Sequence, residues 1–294
     1  MLSDPLTTVV FALQRGILKS EFTCEKRERA MTLQRSSRAT DGYQLRCTSC
    51  KATKSIRANT MLSHSKLTLQ QLLIFIYMWA QEALITDIAA EIGAAGNALT
   101  RLMYLISSAI HQWSSTIHRM LGGPGHTVEM DETQLSRKKH DKGRAVPGSD
   151  VWVFGGIDRA TKMIFVEKVD FRNTRTLLPI IKRYVLPHTM IYTDQWSAYN
   201  CLNDPKNQYR HEVVNHSVGF VNSENGAHTQ CIERLWRDLK QRKKMQYGVH
   251  KHLVPRYCEE FMWRYWVRHN GYNAFEKALA LVANCHWDRV APFP

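Results

Sequence analysis

Three acidic residues in the second half of the chain have the types and positions expected of a divalent-metal site. Asp131 lies inside a predicted strand, Asp194 directly follows a short one, and Glu233 lies on a predicted helix. Mg²⁺ prefers carboxylate oxygens and keeps several waters, so a few Asp and Glu residues suffice to bind it. Two such ions, about 3.5–4 Å apart, can promote phosphodiester chemistry by in-line displacement. By spacing alone, single carboxylates of this kind are more often caps or solvated charges.

The elements around these carboxylates predict a mixed α/β sheet with helices packed on it. Strands are predicted at 126–133, 151–157, 163–169, 190–193 and 212–215, and helices at 174–184, 229–244 and 255–270. Three antiparallel strands followed by alternating helices and strands match the order of the ribonuclease-H-like fold. Ligands of α/β proteins gather at the carboxyl edge of the sheet, and Asp194 is expected there.

The predicted helix at 229–244 has two faces of different chemistry. Apolar residues at helical spacing form a stripe that should pack on the sheet: Ile232, Leu235, Trp236 and Leu239. The adjacent stripe carries one carboxylate followed by cations: Glu233, Arg237, Lys240 and Lys244. His228 stands just before this helix, where it could orient a phosphate or simply bond a backbone carbonyl.

The charge of the chain indicates a polyanionic partner. Of 294 residues, 40 are Lys or Arg and 26 are Asp or Glu, which gives a net charge of +14. An enzyme of small neutral metabolites has no need of this excess, whereas a nucleic-acid-binding protein does. With 44% hydrophobic residues the chain can build a core, which excludes wholesale disorder. We expect no secretory signal and no membrane span, because the most apolar run, at 72–80, is too short.

Five segments between residue 128 and about residue 244 resemble the catalytic domain of Merlin-superfamily DNA transposases and their bacterial insertion-sequence relatives. They are VEMDET at 128–133, WVFGGID at 152–158, TDQWSAY at 193–199, VNHS at 214–217 and HTQCIERLW at 228–236. The resemblance implies a ribonuclease-H-like fold with an Asp-Asp-Glu triad formed by Asp131, Asp194 and Glu233. It also implies two Mg²⁺ or Mn²⁺ ions at that triad, double-stranded DNA as the partner, and a homo-oligomer on DNA.

The amino-terminal segment contains three cysteines with part of the spacing of a zinc ribbon. Cys47 and Cys50 form a Cys-x-x-Cys knuckle, Cys24 lies upstream, and Arg27 stands where a fourth cysteine would be. A structural zinc takes four ligands. The segment is therefore predicted to be a degenerate zinc ribbon, unless a distant residue such as His64 completes the site.

Residues 86–100 have the pattern of a helix-turn-helix. A helix capped by Thr86 is expected to end near Gly93, and a second helix to start around Asn97. An ordinary helical hairpin has the same pattern. Four parts of the chain are thus predicted: the cysteine-bearing segment 1–60, a helical DNA-binding domain 61–122, a catalytic domain 123–250 and a C-terminal helical segment 251–294.

Two basic clusters flank the triad in sequence and are predicted to bind DNA phosphates. The first contains Arg137, Lys138, Lys139, Lys142 and Arg144, and the second contains Arg237, Lys240, Arg242, Lys243 and Lys244. A basic run is also typical of a nuclear localisation signal, and the predicted location is the nucleus.

The sequence therefore predicts a Mg²⁺-dependent DNA transposase that cleaves strands at transposon ends and transfers them into target DNA. Two alternatives stay open at this point. One is a retired transposase that acts as a DNA-binding or chromatin-associated protein. The other is a DNA nuclease of the same fold that performs no strand transfer.

We expect the purified protein to hold weakly, or to lack, a stoichiometric zinc ion. The reason is Arg27, a cation at the position where the fourth thiolate of the ribbon should stand. Elemental analysis after extensive dialysis checks this expectation. One tightly held zinc ion per chain would contradict it and would direct attention to a histidine as the fourth ligand.

Overall fold

The structure is a computed structural model that describes residues 4–63, 65–116, 120–136, 150–214 and 228–290. The chain divides into two compact units. The first, here called the N-terminal unit, contains residues 1–116 together with 270–294. The second, here called the sheet unit, contains residues 117–269. The finer division of the chain into four domains stays a prediction.

The N-terminal unit combines a small antiparallel sheet with helices. Helix α1 (Pro5–Gln14) comes first, and strands β1 (Thr32–Arg35), β2 (Tyr43–Arg46) and β3 (Thr53–Ser55) pair in the order β1-β2-β3. Helices α2 (Leu69–Ala80), α3 (Ile85–Ile92) and α4 (Gly96–Thr116) follow, and a C-terminal helix (Ala274–Ala283) packs on α2 and α4.

Local capping explains where α2 begins. The Thr68 hydroxyl accepts from the backbone N–H of Gln71, and the Gln71 side chain accepts in turn from the backbone N–H of Thr68. This reciprocal pair is a capping box, which satisfies two amides that the first turn leaves unpaired.

The helical pair α3–α4 differs slightly from its predicted form. Helix α3 begins at Ile85 with Leu84 at the N-cap and no side-chain cap, so Thr86 lies inside the helix instead of capping it. Gly93 ends α3 with a φ of 61°, the left-handed conformation that glycine adopts without a steric cost. The geometry is that of a short helical hairpin, and the helix-turn-helix function stays a prediction.

The sheet unit contains the predicted mixed α/β sheet. Its strands are β5 (Thr127–Ser136), β6 (Val151–Asp158), β7 (Ile164–Val169), β9 (Met190–Asp194) and β10 (Arg210–Val214), in the order β10-β9-β5-β6-β7. The pairs β5–β6 and β6–β7 are antiparallel, whereas the pairs β5–β9 and β9–β10 are parallel. A short parallel pair, β4 (Leu121–Gly122) and β8 (Val185–Leu186), stands apart from this sheet.

Helices cover both faces of the sheet. Helices α6 (Gln230–Met245) and α7 (Val254–His269) bury apolar side chains on one face, including the stripe predicted from sequence: Ile232, Leu235, Trp236 and Leu239. Helix α5 (Thr174–Tyr184) buries Leu177, Ile180 and Ile181 on the other face. Among the described residues, no helix has the length and apolarity needed to cross a membrane.

Gly155 allows the close approach of α6 to the sheet. It pairs with Asp131 across β5 and β6, and a Cβ atom at this position would lie 2.6 Å from both the Phe165 carbonyl oxygen and the Trp236 ring. Real Cβ atoms do not approach other atoms this closely, and a densely packed interior transmits such a clash to its neighbours.

Replacing Gly155 with Ala should lower the free energy of unfolding by about 1–3 kcal/mol, because the added methyl group overpacks this contact. Gly96→Ala is the control, since a Cβ there meets nothing within 4 Å and the change should stay within about 0.5 kcal/mol. Urea denaturation of both variants measures the difference. Equal stabilities of the two variants would contradict the described packing of Trp236 on β6.

Candidate active site

Asp131 and Asp194 occupy matching positions on two adjacent parallel strands. The paired residues of β5 and β9 end at Glu129 and Tyr192, and the same offset places Asp131 opposite Asp194 two residues further on. Neighbouring strands lie about 4.8 Å apart, and residues in register point to the same face of the sheet. The two carboxylates therefore lie side by side on the face that α6 covers.

Burial and repulsion together change the ionisation of Asp131. Burial, followed by the negative charges of Asp194 and Glu132, raises the pKa of Asp131 to about 7. The Trp236 indole Nε1–H donates to Asp131 Oδ2 over 2.9 Å and opposes this rise only in part. Such a pair of like charges is destabilising until a cation neutralises it.

Asp194 lies at the carboxyl end of β9, where the sequence predicted it. The backbone N–H of Trp196 donates to Asp194 Oδ1 over 3.1 Å and so fixes one carboxylate oxygen. The Trp196 indole N–H donates to the Arg172 carbonyl oxygen over 3.0 Å, and the Arg172 guanidinium stacks between the rings of Trp152 and Trp196. This stack holds the turn that follows Asp194.

Glu233 is an exposed residue in the first turn of α6. Thr229 Oγ1 donates to Glu233 Oε1 over 3.1 Å. Residues three positions apart on a helix are neighbours, so Glu233 lies beside Trp236, the residue that binds Asp131. The helix thus places Glu233 next to the side chain that contacts Asp131. Among the described residues, the carboxylate oxygens of Asp131, Asp194 and Glu233 do not all lie within 4.8 Å of one another.

An open groove of about 650 Å³ runs along the charged side of α6. Its lining residues are Thr133, Glu233, Trp236, Arg237, Lys240, Gln241 and Lys244. Three predicted DNA-binding residues, Arg237, Lys240 and Lys244, are exposed in this groove. The groove therefore combines one carboxylate with three cations.

Two other cations of the same helix do not face this groove. Arg242 is buried, and its guanidinium donates to Glu260 Oε1 over 2.7 Å. The prediction that Arg242 binds DNA is therefore wrong, because helical periodicity turns this residue toward α7. Lys243 donates to the Leu135 carbonyl oxygen over 2.6 Å, and burial lowers its pKa. The cluster at 137–144 lies outside the described residues.

Glu132 lies on the face of the sheet opposite to Asp131. Tyr199, a core residue on that face, donates its hydroxyl to Glu132 Oε2 over 2.5 Å. Side chains alternate along a strand, so adjacent acidic residues of one motif have different surroundings. Of the two, only Asp131 shares a face with α6.

Sequence reasoning did not single out Glu129, which is fully buried on the α6 face. Its carboxylate accepts from Arg159 Nε over 2.6 Å and from the backbone N–H groups of Cys231 and Ile232 over 2.8 and 3.0 Å. A signal existed, because Glu129 precedes Asp131 by two residues in a strand and so shares its face. Its partners are distant in sequence, and no local pattern identifies them.

The three predicted cysteine ligands come together in the N-terminal unit. The Sγ atoms of Cys24, Cys47 and Cys50 lie within 4.8 Å of one another, and those of Cys24 and Cys50 are 3.4 Å apart. Arg27 is exposed, and His64 lies outside the described residues. Three thiols of this kind can ligate a metal ion, but a structural zinc takes a fourth ligand.

Comparison with known proteins places this sheet unit in a family. Residues 120–265 match the family profile of the ISXO2-like transposase domain. A curated protein of Haemophilus influenzae, described as an uncharacterized transposase-like protein, is 32% identical to the chain over 90 residues, which cover 31% of this chain and 70% of that protein. The chain belongs to the ISXO2-like family of insertion-sequence transposases. The resemblance drawn from sequence is thereby confirmed.

Solved structures similar to this transposase include two viral integrase assemblies. The catalytic core domain of HTLV-2 integrase in complex with magnesium is 13% identical, with a TM-score of 0.30 over 49% of this chain and 86% of that one. A simian T-cell lymphotropic virus intasome in complex with a PP2A regulatory subunit is 14% identical, with a TM-score of 0.33 over 76% and 77% of the two chains. These likenesses are too distant to bear on the site.

Replacing Asp131 with Asn should stabilise the transposase above neutral pH. A pKa raised from 3.8 to about 7 means that the folded state holds this proton more tightly, so stability falls as pH rises through that window. Asn accepts the Trp236 hydrogen bond without ionising. The free energy of unfolding of the Asp131→Asn variant should exceed that of the unmodified protein by an amount that grows from about pH 4 to about pH 7 and levels off at roughly 1–3 kcal/mol.

Asp170→Asn is the control of opposite sign. The Lys168 ammonium donates to Asp170 and lowers the pKa of that carboxyl. Loss of the Asp170 carboxylate should therefore slightly destabilise the protein at pH values above the ordinary pKa of an aspartate. Denaturant unfolding of both variants across this pH range measures the two effects. A gain in the free energy of unfolding of Asp131→Asn that does not vary with pH would contradict the raised pKa of Asp131.

Proposed function

We propose that this transposase cleaves DNA strands at the ends of its element and transfers the resulting 3′-hydroxyl groups into target DNA. The reaction would depend on two Mg²⁺ or Mn²⁺ ions held by Asp131, Asp194 and Glu233 in a ribonuclease-H-like domain. The observation that carries this proposal is the parallel pairing of β5 and β9 up to Glu129 and Tyr192, which brings Asp131 and Asp194, two residues further on, close enough for their charges to interact. The order of the five strands, antiparallel on one side and parallel on the other, supports the ribonuclease-H-like assignment.

The donor set fits hard divalent cations. Asp131 and Asp194 supply carboxylate oxygens, which Mg²⁺ and Mn²⁺ prefer over nitrogen and sulfur ligands. Burial, and after it the negative charge of Asp194, raises the pKa of Asp131, so a bound cation would favour its ionised form. Ions bound there would activate the attacking oxygen and stabilise the leaving oxygen of an in-line phosphoryl transfer.

Protein groups around the carboxylates would orient them for this role. The Trp236 indole N–H holds one oxygen of Asp131, and the Trp196 backbone N–H holds one oxygen of Asp194. Thr229 similarly holds one oxygen of Glu233. These hydrogen bonds limit rotation of the carboxylates, and such outer-shell partners tune metal affinity.

DNA would approach the carboxylates along the groove beside α6. Arg237, Lys240 and Lys244 are exposed there, and cations that contact phosphates place a duplex without reading its sequence. Assembly of the transposase as a homo-oligomer on its DNA ends belongs to the same proposal. The nuclear location, and the basic run at 137–144 as its signal, stay predictions.

Loss of any one of the three carboxylates should abolish strand cleavage while leaving DNA binding intact. The substitutions are Asp131→Asn, Asp194→Asn and Glu233→Gln, each of which removes a metal ligand and little volume. Cleavage is measured with Mg²⁺ on a supercoiled plasmid that carries the gene with its flanking DNA on both sides, and binding is measured on the same DNA without metal.

Asp238→Asn is the matched control for Glu233→Gln, because it also removes one carboxylate from α6. It should cleave at a rate within about twofold of the unmodified protein. Full activity of the Glu233→Gln variant, or equal losses in both α6 variants, would remove Glu233 from the metal set. Cleavage by all three substituted proteins would refute the proposed chemistry.

Replacing Lys240 and Lys244 with Ala should flatten the salt dependence of DNA binding. Each phosphate contact contributes about −0.9 to the slope of log affinity against log salt, so the slope should change by up to about two units for all DNA sequences alike. Fluorescence anisotropy with a labelled duplex at several salt concentrations measures this slope.

The matched control replaces Lys206 and Arg210, two exposed cations of the same unit. Arg210 pairs with Met190 at the start of β9 and β10, at the opposite end of these strands from Asp194. Removing both charges there should leave the slope unchanged. If both double variants flattened the slope equally, the groove would have no special role in DNA binding.

A further inference from the structure

Glu129 is a buried carboxylate that joins the sheet to the start of the helix that carries Glu233. It lies on β5 two residues before Asp131 and is 0% exposed. Its Oε2 atom accepts from the backbone N–H groups of Cys231 and Ile232 in the first turn of α6, over 2.8 and 3.0 Å. Glu233 is the next residue along that turn.

Arg159 completes the connection from the other side. Its Nε donates to Glu129 Oε1 over 2.6 Å, and one of its amino groups donates to the His228 carbonyl oxygen over 2.9 Å. Its guanidinium also lies over the Tyr192 ring, 4.8 Å from the centroid. Arg159 therefore contacts β5, β9 and His228, which lies two residues before the start of α6.

These groups form a layer directly below the two carboxylates of the proposed site. Glu129 and Tyr192 are the last paired residues of β5 and β9, and Asp131 and Asp194 lie two residues further along the same strands. Side chains two residues apart on a strand share a face. The layer of Glu129, Arg159 and Tyr192 thus supports the layer of Asp131 and Asp194 on the α6 side.

The electrostatics of this layer fix the helix along its axis. A buried carboxylate is costly unless a cation and hydrogen-bond donors compensate it, and here Arg159 and the amides at the positive end of the α6 dipole do so. One residue of helix spans about 1.5 Å. A shift of α6 by that amount would break both amide contacts and displace Glu233 relative to Asp131 and Asp194 on the sheet.

We propose that Glu129 and Arg159 are positioning residues that set the metal affinity of the site. They do so by holding the first turn of α6, and with it Glu233, at a fixed height above the sheet. Neither residue is a metal ligand in this proposal. The proposal rests on the proposed function, since it concerns the third carboxylate of that metal set.

The test measures Mn²⁺ binding to the full chain without DNA, from the rise in thermal unfolding midpoint with Mn²⁺ concentration. Glu129→Gln removes the charge, and Glu129→Asp keeps the charge but shortens its reach. Arg159→Lys likewise keeps the charge but loses the two-pronged contact. Each should raise the half-saturating Mn²⁺ concentration by about tenfold, as expected for groups that orient ligands.

Glu260→Gln is the matched control for a purely structural effect. Glu260 is also a buried carboxylate of the sheet unit, held by Arg242 and Arg264 over 2.7 and 2.8 Å. The substitution should lower the unfolding midpoint without metal. Its half-saturating Mn²⁺ concentration should stay within about twofold of that of the unmodified protein, because Glu260 does not contact the first turn of α6.

Two results would overturn the positioning role. One is a half-saturating concentration in Glu129→Asp and Arg159→Lys that equals that of the unmodified protein. The other is an equal rise in the half-saturating Mn²⁺ concentration of Glu260→Gln, which would mean that general destabilisation explains the effect. A different result addresses the proposed function itself. If Asp131→Asn and Asp194→Asn responded to Mn²⁺ as the unmodified protein does, the metal set would be wrong, whatever Glu129 does.

Discussion

The repulsion between Asp131 and Asp194 is the constraint on which the rest of the sheet unit depends. The parallel strands β5 and β9 carry these carboxylates two residues beyond their last paired residues, and burial together with the charge of Asp194 raises the pKa of Asp131. A sheet that served stability alone would place apolar residues at such positions. Holding the two carboxylates close together carries an electrostatic cost, which the contacts around them must offset.

Residues of three elements, β6, α6 and β5, keep the two carboxylates in place. The absent side chain of Gly155 lets Trp236 approach β6, and this Trp then binds Asp131. The buried carboxylate of Glu129 anchors the first turn of α6. The site is therefore rigid because close packing and satisfied buried polar groups coincide around it. A flexible loop could not keep like charges in place at the same cost.

Helix α6 shows how one element serves both packing and binding. Its buried stripe meets the sheet, its exposed stripe lines the groove with Glu233 and Lys240, and Arg242 is buried inside the fold. Arg242 shows that positive charge alone does not identify a residue that contacts DNA. A run of basic residues places its members around the whole helix, so at least one turns inward and needs a buried partner such as Glu260.

The sequence by itself indicated the five strands of the main sheet and the helices packed on it, because runs of apolar residues mark buried strands and helical periodicity marks the buried face of a helix. It also determined the family, through motifs that keep Asp131, Asp194 and Glu233 in order. Only the tertiary structure decided that the pairing of β5 with β9 brings Asp131 near Asp194, and that Glu129 binds amides about a hundred residues away. These facts depend on pairing between distant segments, which local patterns do not encode. The sequence did not predict the small β1-β2-β3 sheet, because its short and largely polar strands carry no periodic signal.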